Sequence, residues 1–195
     1  MKSCLTIAVA LAALAAAEPK GLNVGDAVPE FTAVDDQDKA WKSAEHIGEK
    51  VVVVYFYPAD MTGGCTAQAC AFRDDMADLK KLGVEVVGIS GDSPENHRIF
   101  KEAHRLNFTL LADEQGEVAK LFGVPTRPGG TFKTSVNGKE VSLTTGVRTA
   151  RWTFVIGPEG NVVYKNTKVK PAQDSKAVRD VVRKLTDKKA KGQGG

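Results

Sequence analysis

The chain holds only three cysteines and three histidines in 195 residues, too few cysteines for the dense framework of a small disulfide-stapled fold. It also lacks an excess of either charge, since 27 basic against 24 acidic side chains leave a formal net charge of +3. No global field therefore calls for a nucleic acid or an acidic membrane as partner. Nowhere does it contain the roughly 20 consecutive apolar residues that cross a bilayer, so no stable membrane insertion is expected. It has no internal repeat. With 42% apolar and 26% charged residues, what remains has the makeup of an ordinary globular protein, long enough to bury one core.

The first 17 residues, MKSCLTIAVALAALAAA, combine an early lysine, an apolar stretch and small residues at Ala15 and Ala17. This is the pattern of a secretory signal cleaved near Ala17, and it leads to an expectation of export to a periplasm, the outside or a luminal compartment. Cys4 would leave with the signal, and only Cys65 and Cys70 would remain. Residues 18–186 are expected to form the domain. The polar, glycine-rich DKKAKGQGG of residues 187–195 is expected to be a disordered tail.

Val51 to Tyr57, VVVVYFY, is the firmest element, an apolar and β-branched run of the kind buried on both faces of a sheet. A glycine-rich turn follows Pro58. From about Cys65, Ala69, Phe72, Met76, Leu79 and Leu82 recur at helical spacing up to Gly83. Strands are expected at 28–34, 84–90, 108–112, 152–156 and 161–164, and helices at 95–106, 117–122 and 175–185. Trp41 to Gly48 is read as a connector or helical turn. The alternation is that of an α/β fold. Residues 125–146 fit no helix, and Asn137-Gly138 between two polar and apolar runs signals an inserted hairpin or a long loop.

A cysteine just after a buried strand, in the first turn of a helix, sits where unpaired backbone amides stabilise a thiolate, which is the nucleophilic form. Thr62 lies three residues earlier and offers a hydroxyl to that sulfur or to an oxygen of a bound oxidant. Gly63 and Gly64 let the backbone approach closely, and Pro58 shields the pocket floor. If Cys65 and Cys70 share one regular helix, their Cα atoms are roughly 8.7 Å apart. A disulfide spans at most about 7 Å, so the pair bonds only if the helix opens. Such a bond suits turnover better than a permanent staple.

The segment from Tyr57 to Asp74, YPADMTGGCTAQACAFRD, resembles the active-site segment of the peroxiredoxins, and most closely the peroxiredoxin Q or bacterioferritin comigratory protein subgroup. The family motif of proline, threonine and cysteine falls on Pro58, Thr62 and Cys65. The likeness continues through EVVGIS, FTLLAD and VAKLFGV to RWTFVI. It implies a thioredoxin-like α/β fold with a central mixed sheet flanked by helices. It also implies a thiol peroxidase in which Cys65 is the peroxidatic cysteine, Thr62 its hydrogen-bonding partner, Cys70 the resolving cysteine and Arg151 the active-site arginine. Arg148 is the nearby alternative for that arginine. The substrate implied is hydrogen peroxide or an organic hydroperoxide, the reductant a thioredoxin-like protein, and a monomer is possible. No cofactor or metal is implied, and His46, His97 and His104 have no ligand-like grouping and are expected to be exposed side chains. Two other functions compete. A thiol-disulfide oxidoreductase normally uses Cys-x-x-Cys, whereas four residues intervene here. A non-catalytic chaperone or binding module would use the 125–146 segment as its contact surface.

Overall fold

In a computed structural model, which describes residues 21–192 other than Asn137, the chain runs through nine strands and four α-helices. It opens with β1 (Thr32–Asp35) and β2 (Ala40–Lys42), followed by β3 (Val51–Phe56), α1 (Gly63–Lys81) and β4 (Val84–Ser90). Next come α2 (Pro94–His104), β5 (Thr109–Ala112), α3 (Glu117–Phe122), β6 (Thr126–Val136) and β7 (Lys139–Thr149). The chain ends with β8 (Trp152–Ile156), β9 (Val162–Asn166) and α4 (Asp174–Gly192).

Seven strands form a mixed sheet in the order β2-β1-β5-β4-β3-β8-β9. β3, β4 and β5 are parallel, and the outer pairings are antiparallel. This is the thioredoxin-like α/β arrangement. Alternation along β3 splits the core in two, because successive side chains of a strand point to opposite faces. Val53 and Tyr55 pack with Phe72, Met76 and Leu79 of α1 and with Val178 and Val182 of α4. Val52, Val54 and Phe56 pack on the other face with Trp41, Phe122 and Phe154. Both faces of β3 are dry, which is why its sequence is a continuous apolar run.

α1 buries Cys65, Ala69, Phe72, Met76 and Leu79 on one stripe. It stops where Gly83 turns into the left-handed region at φ 70°, with Lys80 and Lys81 facing the negative end of its dipole. α2 begins with Pro94 at its first position behind Ser93, whose side chain accepts from the Asn96 amide at 3.3 Å.

Three local expectations change. Trp41 belongs to strand β2, paired opposite Ala33 of β1, and only Ser43–Glu45 form a helical turn. That pairing depends on burying the Trp41 ring, a contact that local spacing does not reveal. The strand expected at 28–34 forms only over Thr32–Asp35. α4 runs on to Gly192 in place of a disordered tail from Asp187. Lysine and alanine are good helix formers, so a polar run can extend a helix already anchored upstream.

β6 and β7 form a hairpin separate from the main sheet, in register from Thr126 opposite Thr149 to Val136 opposite Lys139. Gly138 supplies a positive φ of 79° at its tip, and Asn137 lies outside the described residues. The hairpin leans on the end of β4, where the Gly146 amide donates to the Gly91 carbonyl at 2.8 Å. A Cβ at Gly91 would collide with the Val147 carbonyl oxygen, so this approach requires glycine. Among the described residues, no helix is long and apolar enough to cross a membrane.

Candidate active site

β3 delivers the chain to Pro58, and Met61 then adopts a left-handed φ of 59° before Thr62 caps α1. A non-glycine residue in that region is strained, so neighbouring contacts must hold the turn in place. They come from a buried cluster. The Asp60 amide donates to Asp92 Oδ2 at 2.9 Å, Tyr57 donates its hydroxyl to Asp60 Oδ1 at 2.7 Å, and His97 Nδ1 lies 2.8 Å from Asp60 Oδ2. Asp92 also accepts from Ser90 and, across the molecule, from Thr145 of the hairpin, both at 2.7 Å. The turn before Cys65 is thereby tied to β4, α2 and β7 at once.

His97 is therefore not an exposed side chain but fully buried. Its position beside Phe100 on the inner face of α2 was the available signal, together with two aspartates at the carboxyl ends of neighbouring strands. Burial alone would push its pKa down, but the Asp60 charge and hydrogen bond, with Asp92, outweigh this and raise it. Burial raises the Asp60 pKa as well, against the pull of His97. Two carboxylates, Asp60 and Asp92, face the single imidazole and hold the His97 pKa up.

The raised His97 pKa sets a direction for stability. A folded pKa above the unfolded value of 6.5 gives a contribution that is whole below that pH and is lost as pH rises through the folded value. His97→Asn removes one partner of a buried pair, a change that costs about 3–5 kcal/mol. It should lower Tm by on the order of 10 °C at pH 6. The gap between the two proteins should narrow as pH rises above neutrality. A gap that stays constant from pH 6 to 9 in thermal melts would contradict the assignment.

At the start of α1, the amides of Gly63, Gly64 and Cys65 precede the first intrahelical bond, from the Thr66 amide to the Thr62 carbonyl at 2.8 Å. Cys65 is 1% exposed. Arg151, in the link between β7 and β8, donates from Nη2 to Cys65 Sγ at 3.2 Å. Its Nη1 donates to Gln68 Oε1 at 2.5 Å, and Gln68 Nε2 donates to Asp174 Oδ2 at 2.7 Å. Thr153 donates to the same carboxylate oxygen at 2.7 Å. Burial raises the Asp174 pKa, and the bonds from Thr153 and Gln68, with the Arg151 charge, act against that rise. Gln68, Thr153 and Asp174 thus fix the guanidinium from behind, and the parts of this chain on β8 and α4, Thr153 and Asp174, lay beyond local sequence reading. Gly64 leaves room for it, since a Cβ there would press on Arg151 Nη2 at 3.3 Å.

Of the expected residues, Arg151 meets Cys65, and Pro58 shares a cleft with Arg151. The arginine at the sulfur is Arg151 and not Arg148, which lines a cleft of about 290 Å³ with Pro58 and Arg151. Thr62 donates its hydroxyl to the Ala59 carbonyl at 3.1 Å instead of to the sulfur. Its oxygen can still accept a hydrogen bond from an oxidant. Cys65 and Cys70 are both free thiols on α1, Cys65 buried and Cys70 partly exposed. The arrangement places an arginine donor and a helix N-terminus at one sulfur, with a second sulfur five residues further along the helix.

The profile of the AhpC/TSA family matches residues 24–165. Peroxiredoxin Q from Populus jackii, a chloroplastic protein, is 54% identical over 111 residues, covering 57% of this chain and 52% of the relative. Chloroplastic peroxiredoxin Q from Gentiana triflora is 50% identical over 144 residues, covering 73% and 58%. The chain thus spans little more than half the length of these relatives. Peroxidoxin BcpB of Mycobacterium tuberculosis superposes with a TM-score of 0.69 at 30% identity, covering 84% of this chain and 98% of that one. The bacterioferritin comigratory protein of Xanthomonas campestris gives 0.66 at 28%, covering 82% and 99%.

These relatives correct the expectation of export to a periplasm or the extracellular space, because the similar peroxiredoxins Q, at 44–54% identity, are chloroplastic proteins and not secreted ones. The segment behind that expectation, residues 1–17, lies outside the described residues. Fold, motif and relatives agree, and the chain belongs to the AhpC/TSA family, in its peroxiredoxin Q and bacterioferritin comigratory protein subgroup.

Proposed function

We propose that the chain is a thiol-dependent peroxidase that reduces hydrogen peroxide or organic hydroperoxides through Cys65. The observation that carries this reading is the 3.2 Å contact from Arg151 Nη2 to Cys65 Sγ at the N-terminus of α1. The Cys65 thiolate attacks the terminal oxygen of the peroxide, the O–O bond breaks, and water or an alcohol leaves after protonation. The sulfur becomes sulfenic acid. Arg151 and the free amides of α1 face the charge on the sulfur and on the reacting oxygens. Cys70 then condenses with the sulfenic acid, expelling water and forming a Cys65–Cys70 disulfide. A thioredoxin-like dithiol restores both thiols by exchange and is itself oxidised.

Condensation requires α1 to open at its start. Gly63 and Gly64 in the first turn favour this, because glycine regains more backbone freedom on leaving an ordered conformation than any other residue. The test is an assay of the reduced protein with hydrogen peroxide, thioredoxin and thioredoxin reductase, run beside reduction of insulin disulfides. Peroxide-dependent consumption of reductant with negligible insulin reduction is expected. Insulin reduction without peroxide consumption would assign the chain to disulfide exchange instead.

A further inference from the structure

Arg127 and Arg148 stand directly opposite one another across the β6–β7 hairpin. Like charges in that relation repel, and natural ladders avoid them unless something offsets the cost. Arg73, Arg98 and Arg179 each hold a carboxylate. Arg127 and Arg148 hold none, and neither side chain has a hydrogen bond or ion pair among the described residues. Both line the same cleft of about 290 Å³ as Arg151, which carries the contact to Cys65, and Pro58, Pro125 and Ala150 supply its apolar walls. Arg127 is exposed and Arg148 half-buried, so both charges remain open to solvent.

Resting on the peroxidase reading, we propose that Arg127 and Arg148 form an anion subsite that binds the carboxylate of an organic hydroperoxide carrying one. Arg148 and Arg151 are three residues apart, so their Cα atoms are separated by no more than about 10 Å. A substrate with its peroxide at Arg151 and its carboxylate several bonds away fits between them, its hydrocarbon part against the prolines and Ala150. Two guanidinium groups match the planar, two-oxygen geometry of a carboxylate better than ammonium groups would. The chemical step is unchanged. The O–O bond breaks at Cys65, and the carboxylate serves only to hold and orient the molecule.

The test uses a matched pair of peroxides, cumene hydroperoxide bearing a para-carboxylate and the methyl ester of the same compound, with hydrogen peroxide as reference. Oxidation of Cys65 in the reduced full-length protein is followed by stopped flow at low salt, so that no reductant enters the measurement. The acid should oxidise Cys65 roughly five- to tenfold faster than the ester, as expected for two partly exposed charge pairs. That advantage should shrink as ionic strength rises. Arg127→Gln, Arg148→Gln and the double variant should bring the acid-to-ester ratio progressively toward one, and Arg148→Lys should restore part of it. Because the result is a ratio within each protein, a general effect of substitution on Cys65 cancels. Equal rates for acid and ester in the unaltered protein, or a ratio that survives in the double variant, would overturn the subsite. So would an intact ratio combined with slower thioredoxin-supported turnover, which would make the basic rim a reductant-docking surface. If hydrogen peroxide itself fails to oxidise Cys65, the peroxidase reading falls instead.

Discussion

Replacing Cys65 by serine is expected to reduce peroxide turnover to the level of buffer while leaving the fold intact. Serine is nearly isosteric with cysteine, and the site is a close-fitting one at 1% exposure. The hydroxyl remains protonated at neutral pH and is a far weaker nucleophile than a thiolate, so the first step has no attacking group. Arg151 would then donate to an oxygen instead of a sulfur, and the chain through Gln68 and Asp174 should persist. Peroxide consumption that survives in Cys65→Ser, measured with the same reductant, would move the chemistry to another residue.

Arg151→Met is expected to slow oxidation of Cys65 by about 10²- to 10³-fold, the usual loss when one preorganised donor is removed from a developing anion. Methionine fills much of the arginine stem's volume and opens no large cavity. The loss should appear in the second-order rate constant for peroxide and not in the rate of disulfide reduction, because the guanidinium acts on the first step. Stopped-flow rates that hold steady in Arg151→Met but fall for hydrogen peroxide in Arg148→Met would transfer the role to the hairpin arginine. In that case the 3.2 Å contact to the sulfur would be incidental.

The strands and helices nearest the site were legible because local rules suffice for them. Val84–Ser90, Glu117–Phe122 and Trp152–Ile156 form over the residues expected, since each is a short apolar or amphipathic run bounded by glycine or a turn. Cys65 was legible from its place after a buried strand in the first turn of a helix, and Arg151 from the resemblance to a family motif. What local spacing hid is what holds them. Asp60, Asp92 and His97 are 32 and 37 residues apart in their contacts, and Gln68 meets Asp174 across 106 residues. Buried polar residues of this kind look like surface residues in a sequence, because polarity alone is the usual sign of exposure. The C-terminal lysine run misled in the same way, polarity being taken for lack of structure where α4 continues to Gly192.

The hairpin was visible as an irregular segment but not as a part of the site. Thr149 donates to the Tyr57 carbonyl at 2.8 Å, and Thr145 reaches Asp92 at 2.7 Å. These two bonds place β7 against the turn that carries Cys65. They also explain how arginines on the hairpin come to line the cleft beside Arg151.

The central claim is that Cys65 takes the oxygen and that α1 must open for Cys70 to answer it. Its most direct test is peptide mapping by mass spectrometry after one equivalent of peroxide, paired with hydrogen exchange over residues 62–72. The account predicts oxidation at Cys65 first, then an intramolecular Cys65–Cys70 disulfide with loss of amide protection from Thr66 to Ala71. A first oxygen on Cys70, or a disulfide formed while that protection stays intact, would contradict it.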